Sequence, residues 1–459
     1  MSVNQSQLAH RGALLTLLRR LHFYIGLFIG PFIFIAALTG TLYVLTPQLE
    51  NALYHEALRT PDTGQNLPFS QQIAAARQYI GDDARIAAVR PAPYPGDTTR
   101  VQFVDPALGE SESRAIFVSP ATLAIQGDLT VYGTSGVLPL RTWIDQFHRA
   151  LLLGDTGRIY SELAASWLWV AALGGVVLWL TSRPKRKLKV RQTPQRKARH
   201  WHITLGVALL LGLLFFSATG LTWSQWAGGN IDKMRSSLGW MTPQVNTALV
   251  PQTGHQQHDP HAEHHAMMPG MVMPKTDDTV WDQVLVAARG AGIESSKIEI
   301  RPARSADKAW TVTEIDRAWP THVDAAAVDP TSFKVVDRTW FADFPLVAKL
   351  TRWGIDAHMG VLFGLANQLL LAAFGMGLCA MVILGYRMWW LKRPAASASN
   401  PAQTLSEAWL ALPGTWRAGV VIIALIFGYC LPVMGASLLL FIIADIGRWR
   451  KNALKLQTS

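Results

Sequence analysis

The chain has 459 residues, of which 50% are hydrophobic and 16% are charged, and its formal net charge is +11. Much of the apolar content lies in long runs, which indicates an integral membrane protein and excludes an ordinary soluble multidomain protein. The two cysteines, Cys379 and Cys430, both lie in apolar runs. This excludes a disulfide framework, a CxxC redox pair and a cysteine-rich zinc site.

Four apolar runs are long enough to cross the roughly 30 Å hydrocarbon core of a bilayer, which requires about 20 helical residues. They lie near residues 23–45, 162–181, 203–223 and 361–386. The first run is far longer than the roughly 7–15 apolar residues of a cleavable signal peptide, so we interpret it as an uncleaved anchor. A further apolar stretch, from about 416 to 446, contains Pro432 near its centre. Cations at both of its ends favour a tight helical hairpin, and one kinked helix is the alternative.

Lysine and arginine residues are concentrated on one side of the predicted spans, whereas the long segments on the other side mix both charges. The loop 183–199, RPKRKLKVRQTPQRKAR, contains many cations and no acid, and further arginines precede the first span and follow the fourth. By the positive-inside rule these sites and the N-terminus are cytoplasmic, and the long segments 46–160 and 224–358 face outward. This bias explains most of the net charge, so no nucleic-acid ligand is expected.

The two outward segments show the same order of predicted elements. In the first, a helix over 69–80 is followed by four strands within 84–92, 98–105, 113–120 and 123–132. In the second, a helix over 279–292 is followed by four strands within 297–303, 309–316, 325–330 and 334–340. We infer two small α+β domains, each a helix packed on an antiparallel sheet.

The predicted fold is therefore an α-helical integral membrane protein with two periplasmic α+β domains, an internal duplication, four core spans and a C-terminal hydrophobic hairpin or kinked helix. Its predicted segments are the N-terminal tail with span one (1–47), domain one (48–158), span two (159–182), the basic loop (183–201), span three (202–224), domain two (225–357), span four (358–391), a cytoplasmic linker (392–415) and the C-terminal hairpin or kinked helix (416–447).

An insert at 254–274, GHQQHDPHAEHHAMMPGMVMP, has no counterpart in the first outward segment. Imidazole and thioether groups suit copper, and imidazole also suits other transition metals such as iron. We interpret the insert either as a mobile loop that captures metal or as a tolerated low-complexity segment. Its candidate ligands are His255, His258, His261, His264 and His265, together with Met267, Met268, Met271 and Met273.

The chain repeats itself in two sets of segments. A shift of 180 positions superimposes the first span on the third, and a shift of 210 superimposes the approaches to the second and fourth spans. The superimposed pairs include His22 and His202, Gly26 and Gly206, Thr39 and Thr219, Gly40 and Gly220, Trp143 and Trp353, His148 and His358, and Gly154 and Gly364. We infer a duplicated unit of helix, outer domain, histidine and helix.

Four histidines occupy equivalent places in this duplication. A histidine in or next to a span is costly without a partner, so it indicates a functional site. His22 and His202 open spans one and three on the inner side, whereas His148 and His358 precede spans two and four on the outer side. If the repeats pack about a pseudo-twofold axis, each pair meets at one depth. Two facing imidazoles are the axial ligands of a six-coordinate haem iron, so we predict two b-type haems.

Other interpretations of these histidines stay open. His200 lies two positions from His202 and is an alternative inner ligand, although the repeat selects His202. Zinc would require three or four ligands in one cluster, whereas each side offers two. A proton relay is also open, but the spans show no chain of acids. Four arginines are candidates for neutralising haem propionates: Arg20, Arg149, Arg199 and Arg352.

The order of these features resembles the PepSY-associated transmembrane family, which includes iron-regulated inner-membrane proteins and ferric-siderophore reductases of Gram-negative bacteria. The resemblance covers the chain apart from the insert and the C-terminal apolar stretch. It is carried by R-x-L-H at 19–22, the T-G pairs at 39–40 and 219–220, D-x-x-H-R at 145–149, I-D-x-H at 355–358 and the basic inner loop.

The resemblance implies two periplasmic PepSY-type domains, bound haem and electron transfer to ferric chelates outside the cytoplasmic membrane. We therefore expect an inner-membrane oxidoreductase that reduces ferric siderophores. Quinol or a separate cytoplasmic reductase is the expected donor, because no glycine-rich nucleotide fingerprint is present. One alternative is a transporter of iron, haem or siderophore, which would have polar or broken helices in mid-membrane. Another is a membrane anchor that binds a periplasmic partner, which would leave the paired histidines unexplained.

Overall fold

The computed structural model describes residues 3–182, 193–249, 277–391 and 405–457. The predicted His/Met insert, with all five of its histidines, lies outside the described residues. The chain divides into two compact units. The helical unit comprises Met1–Leu42, Asp145–Met234 and Leu369–Ser459, and the sheet unit comprises Tyr43–Ile144 and Arg235–Gln368.

The helices and strands are named in chain order. The helices are α1 (Val3–Tyr24), α2 (Gly30–Val44), α3 (Thr46–Leu53), α4 (His55–Leu58), α5 (Phe69–Ile80), α6 (Pro139–Ala150), α7 (Gly154–Thr181), α8 (Pro194–Ala208), α9 (Leu210–Thr222), α10 (Trp226–Ser237), α11 (Thr279–Gly290), α12 (Leu346–His358), α13 (Gly364–Leu391), α14 (Leu405–Leu410), α15 (Gly414–Cys430) and α16 (Pro432–Gln457). The strands are β1 (Ile86–Arg90), β2 (Thr99–Phe103), β3 (Glu112–Val118), β4 (Ile125–Tyr132), β5 (Ile298–Arg301), β6 (Trp310–Glu314), β7 (Ala325–Val328) and β8 (Val335–Thr339). Each strand predicted from the sequence is present.

Long apolar helices dominate the helical unit, because a helix is the element that satisfies its own backbone groups inside a bilayer. Within the described ranges, four helices are long and apolar enough to cross a membrane: Gly12–Val44, Gly154–Thr181, Gly364–Leu391 and Pro432–Lys451. The first of these joins α1 to α2 through a π-helical turn at Ile25–Ile29. The protein is therefore a multi-pass membrane protein with a β-sheet domain.

The third predicted span is not one straight helix. Only the two helices α8 and α9 together are long and apolar enough to cross a membrane. They are bent by 61° relative to each other. The backbone stays hydrogen-bonded across the bend, since Leu209 N–H donates to the Leu205 carbonyl and Leu213 N–H donates to the Leu209 carbonyl. Just after the bend, a Cβ on Gly212 would overlap the Phe374 ring of α13 at 2.3 Å. Packing of that ring against the helix accompanies the change of direction.

Helix α8 also starts earlier than the sequence predicts. It begins at Pro194, inside the segment assigned to the basic loop. Thr193 caps it, because its side chain accepts a hydrogen bond from the Arg196 backbone N–H, and proline is well suited to the first helical turn. As a result His202 lies within a helix, rather than opening one.

The C-terminal apolar stretch forms a tight helical hairpin. A Cβ on Gly435 of α16 would lie 2.8 Å from the Cα of Gly428 in α15. Residues seven apart in one continuous helix are separated by about 10 Å along its axis, so the chain reverses between them. The Trp167 indole of α7 donates a 2.9 Å hydrogen bond to Ser437 Oγ of α16, which attaches the hairpin to the second span.

A buried carboxylate joins the hairpin to the N-terminal helix. Asp445 of α16 accepts hydrogen bonds from the backbone N–H groups of Leu405 and Ser406, at the start of α14. It also accepts a 2.7 Å bond from the Tyr24 hydroxyl of α1. A buried carboxylate is costly unless its oxygens accept hydrogen bonds. These bonds connect α1 and α14 to α16.

All eight strands form one antiparallel sheet in the order β4-β3-β2-β1-β5-β6-β7-β8. Each half is a four-stranded meander, and the halves join where Val89 of β1 pairs with Ile300 of β5. Helices α5 and α11 contribute to one shared core with both meanders. The two α+β domains inferred from the sequence are thus halves of a single body, because pairing β1 with β5 satisfies edges that would otherwise stay open.

An ion cluster lies at the junction of the two meanders. Glu299 of β5 accepts from Arg90 Nε of β1 at 2.7 Å and from Arg301 Nε at 2.5 Å. Burial alone would raise the pKa of Glu299, but the two guanidinium groups together outweigh burial and hold it below its ordinary value of 4.5. Arg90 also donates to the carbonyl oxygens of Thr134 and Ser135. The cluster therefore positions the loop that leads into α6.

Replacing Glu299 with glutamine should lower the free energy of unfolding by about 3 kcal/mol, because the largely buried guanidinium group of Arg90 and the partly exposed one of Arg301 lose their shared carboxylate. Since the folded-state pKa is lowered, the contribution of Glu299 is complete above about pH 4.5 and is lost as the pH falls below it. Unfolding of the purified chain in detergent, measured between pH 7 and 4, tests both points. Glu110→Gln, at an exposed turn of the same unit, is the control, and equal stability of the two variants would contradict the assignment.

Candidate functional site

His22 and His202 face each other in the helical unit. Their ring centres are 6.5 Å apart, and their ring planes are inclined at 81°. His22 belongs to the helix Gly12–Val44, and His202 belongs to α8. The alternative ligand, His200, is exposed and packs on Trp201. The structure therefore brings together the two histidines that the 180-residue shift relates.

Glycines on two further helices make room for these rings. A Cβ on Gly175 of α7 would lie 3.2 Å from Cε1 of His22. A Cβ on Gly385 of α13 would lie 3.6 Å from Cε1 of His202. These two glycines are 210 positions apart, which is the shift that relates the second and fourth spans. The repeat that relates the outer histidines thus also relates these two glycines.

The backbone of the fourth span determines the tautomer of His202. Its Nδ1 lies 2.9 Å from the Met381 carbonyl oxygen. Since a carbonyl only accepts, Nδ1 carries the hydrogen, and Nε2 keeps its lone pair for a metal. The residue equivalent to Met381 in the first repeat is Ala171, and its backbone interacts with His22. The Nδ1 atom of His22 is buried, and no described residue makes a hydrogen bond of normal geometry with it.

The spacing of the pair fits one metal ion bound between two imidazoles. A metal–imidazole bond is about 2 Å, and the nitrogen lies about 1 Å from the ring centre, so two such ligands place their ring centres about 6 Å apart. The observed separation is 6.5 Å. Over the described part of the chain, no group of three or more His, Cys, Asp or Glu residues could hold a metal. The donor set thus fits a two-ligand centre such as haem, and not a structural zinc site.

A glycine lies one helical turn after each histidine of the pair. Gly26 lies one helical turn after His22 on the same side of the helix, and a Cβ there would meet no atom within 4 Å. Gly206 is the equivalent position after His202. A Cβ there would contact Met381 Sδ at 3.6 Å, the flexible end of a side chain.

The backbone departs from α-helical geometry just after each of the two histidines. The π-helical turn ends at Ile29, and the equivalent position in the third span is Leu209, where α8 and α9 separate. Pro31 lacks the N–H that would bond to the Leu27 carbonyl in an α-helix, and the Tyr386 hydroxyl donates to that carbonyl at 2.6 Å. Such π-turns are frequent at functional sites. Pro31 is the sequence signal for this irregularity, which leaves the span continuous.

His148 is held by the Thr39-Gly40 pair of α2. Its Nδ1 lies 2.9 Å from Thr39 Oγ1. The Thr39 hydroxyl donates to the carbonyl of Ile35 at 2.7 Å. Because that single hydrogen is used, the Thr39 oxygen accepts from the Nδ1–H of His148, and Nε2 is again the atom with a lone pair. A Cβ on Gly40 would lie 3.2 Å from Cε1 of His148. The threonine thus bonds to the imidazole, and the glycine next to it makes room for the ring.

His358 ends α12 in the sheet unit, whereas His148 belongs to the helical unit. The end of α12 is firmly bonded. The Asn367 side chain donates to the Ala357 carbonyl at 3.0 Å, and Arg317 and Arg352 both pair with the buried Asp356. Among the arginines proposed for propionates, Arg352 thus faces a carboxylate of its own helix. Two others also have side-chain partners, Ser182 for Arg199 and Gln146 for Arg149.

These observations define a class of protein: a multi-pass helical membrane protein with a β-sheet domain and a histidine pair at equivalent positions of an internal repeat. A family model described as the PepSY-associated TM region matches residues 19–392. The chain belongs to this family, and the match includes His22, His148, His202 and His358. No curated protein matches the chain.

The hydrogen bond from His148 to Thr39 should be measurable as stability. Thr39→Val keeps the side-chain shape but leaves the Nδ1–H of His148 buried without an acceptor, which should cost about 1–3 kcal/mol. Thr41→Val is a matched control, because Thr41 is in the same helix and its hydroxyl bonds only to the Ala37 carbonyl among the described contacts. Unfolding in mixed detergent micelles measures the difference, and equal losses in both variants would contradict it.

Proposed function

We propose that the protein is a di-haem b oxidoreductase of the bacterial inner membrane that reduces ferric chelates, such as ferric siderophores, in the periplasm for iron acquisition. The observation that carries this proposal is the pair of His22 and His202, 6.5 Å apart at repeat-equivalent positions. Their Nε2 atoms would hold the inner haem. His148 and His358 would hold the outer haem, and the support for that pair is the 210-residue repeat together with the tautomer of His148.

Bound haem iron accepts and releases single electrons. The residues of this chain would bind the group and set its environment. The Met381 carbonyl orients His202 and raises the basicity of its Nε2. Gly175 and Gly385 place helix backbone against the rings and restrict their rotation. The surrounding apolar helices exclude water from the pair.

The substrate would be Fe(III) bound by a chelator outside the cytoplasmic membrane. One electron converts it to Fe(II), a softer ion that hard oxygen ligands hold less tightly, so the metal is released. The electron would come from quinol or from a separate cytoplasmic reductase. The His/Met insert at 254–274 stays a proposed site for capturing copper or iron near this acceptor.

A transporter is the second candidate function. It is favoured by the 61° bend in the third span, since broken helices are typical of secondary transporters. The residues around this bend, 207–213, are VALLLGL. They supply no side-chain ligand for an ion or an anionic chelate, so we place this function second.

An absorption spectrum of the purified full chain, before and after dithionite reduction, tests the leading proposal. We expect a Soret band that sharpens on reduction and about two haems per chain, as two bis-histidine sites require. His22→Ala and His202→Ala should each remove about half of the haem, because each breaks one site. His200→Ala is the matched control, since His200 is exposed beside His202, and it should retain all of the haem.

Mixing the reduced protein with a ferric siderophore should then reoxidise the haem spectrum and release Fe(II), which a ferrous indicator detects. A colourless protein after expression with ample haem would contradict the haem assignment. Uptake of radiolabelled iron or chelate into proteoliposomes would then favour transport.

A further inference from the structure

Helix α12 exposes apolar side chains on the face that points away from its own domain. Leu346 is 67% exposed and Leu350 is 54% exposed, and they lie one turn apart. The opposite side of the helix is the packed one, since Ala348 and Asp356 are fully buried. In a soluble domain the apolar stripe of a surface helix faces the core. Here part of it faces outward.

Aromatic residues extend this apolar face beyond the helix. The Trp353 ring of α12 lies 5.4 Å from the Trp319 ring, and the Trp319 ring lies 6.1 Å from the Phe363 ring. Trp319 and Phe363 are 56% and 58% exposed. A contiguous exposed surface of this kind marks an interaction site. We call the surface formed by Leu346, Leu350, Trp353, Trp319 and Phe363 the α12 patch.

The α12 patch is followed directly in the sequence by a membrane-spanning helix. Phe363 immediately precedes Gly364, where α13 begins. The first turn of α13 is also apolar and exposed at Leu365. Gly360 has a φ of 75° and Gly364 a φ of 54°. These values favour glycine and let the chain turn sharply between α12 and α13.

A cation near the patch suits a membrane interface. Lys349 belongs to the same helix and is partly exposed, and cations beside an exposed apolar stripe are typical of interfacial helices. Tryptophan is enriched at the same level of a bilayer, because its ring is apolar and its N–H is polar. The first repeat also exposes apolar residues at the equivalent positions. Trp143 is equivalent to Trp353 and Leu153 is equivalent to Phe363, and both are exposed.

We propose that the α12 patch is a lipid-binding surface that seats α12 in the headgroup interface of the bilayer crossed by α13. Its partner is the phospholipid surface of the same membrane. The helix then lies along the interface, and His358 at its end is held at a defined depth. This inference is independent of haem, because it rests on exposure, ring contacts and continuity with a spanning helix.

Site-directed spin labelling of the full chain tests the proposal. The two native cysteines would first be replaced by Cys379→Ala and Cys430→Ala. A nitroxide is then attached through Leu350→Cys in vesicles of phosphatidylethanolamine and phosphatidylglycerol. Its collision rates with oxygen, which concentrates in the bilayer, and with a water-soluble nickel chelate are compared. Val286→Cys on α11 is the matched control, since Val286 is an exposed apolar residue, 71% exposed, in the same unit.

We expect the logarithm of the oxygen-to-nickel collision ratio to be positive at Leu350 and negative at Val286. A label at Leu346→Cys should behave as Leu350 does, and both labelled positions are exposed, so neither substitution disturbs the core. A negative value at both α12 positions, equal to that at Val286, would overturn the proposal in favour of a water-exposed surface. Protection from both oxygen and nickel would overturn it in favour of a protein partner.

Discussion

An imidazole among apolar helices must be given partners, because the bilayer provides no water to solvate it. The contacts around His22 and His202 follow from this requirement. Two helices bring the rings within 6.5 Å of each other, and the glycines of α7 and α13 let backbone approach them. The Met381 carbonyl takes the Nδ1 hydrogen of His202. The Nε2 atom of His202 is thereby left with its lone pair.

The backbone near the histidine differs between the first span and the third span, although the two spans are repeat equivalents. In the first span Pro31 removes an N–H, a π-helical turn forms, and the Tyr386 hydroxyl bonds to Leu27. The position equivalent to Pro31 in the third span is Leu211, and the position equivalent to Tyr386 in the second span is Val176. The third span therefore has neither the proline nor a tyrosine partner on its neighbouring helix, and its backbone bends by 61° instead. Equivalent histidines are thus compatible with backbones that have diverged around them.

Helices α6 and α12 carry His148 and His358, and each is followed in the sequence by a span. Arg90 bonds to Glu299 at the junction of the two meanders and also to the loop before α6. Arg317 bonds to Asp356 near the end of α12. The loop before α6 and the end of α12 are therefore both bonded to residues of the sheet unit.

The sequence by itself determined the spans, the eight strands and the pairing of His22 with His202, because these depend on the length of apolar runs, on local periodicity and on a repeat that superimposes one histidine on the other. Membership of the PepSY-associated family was also readable from motifs such as the one ending at His22. Only the tertiary structure decided that β1 pairs with β5, that the third span bends at Leu209, and that the chain reverses at Pro432. It also decided that the Met381 carbonyl sets the tautomer of His202. These features depend on which residues, distant in the sequence, come into contact. The periodicity of a helix or strand does not specify the partners with which its side chains or edges form hydrogen bonds.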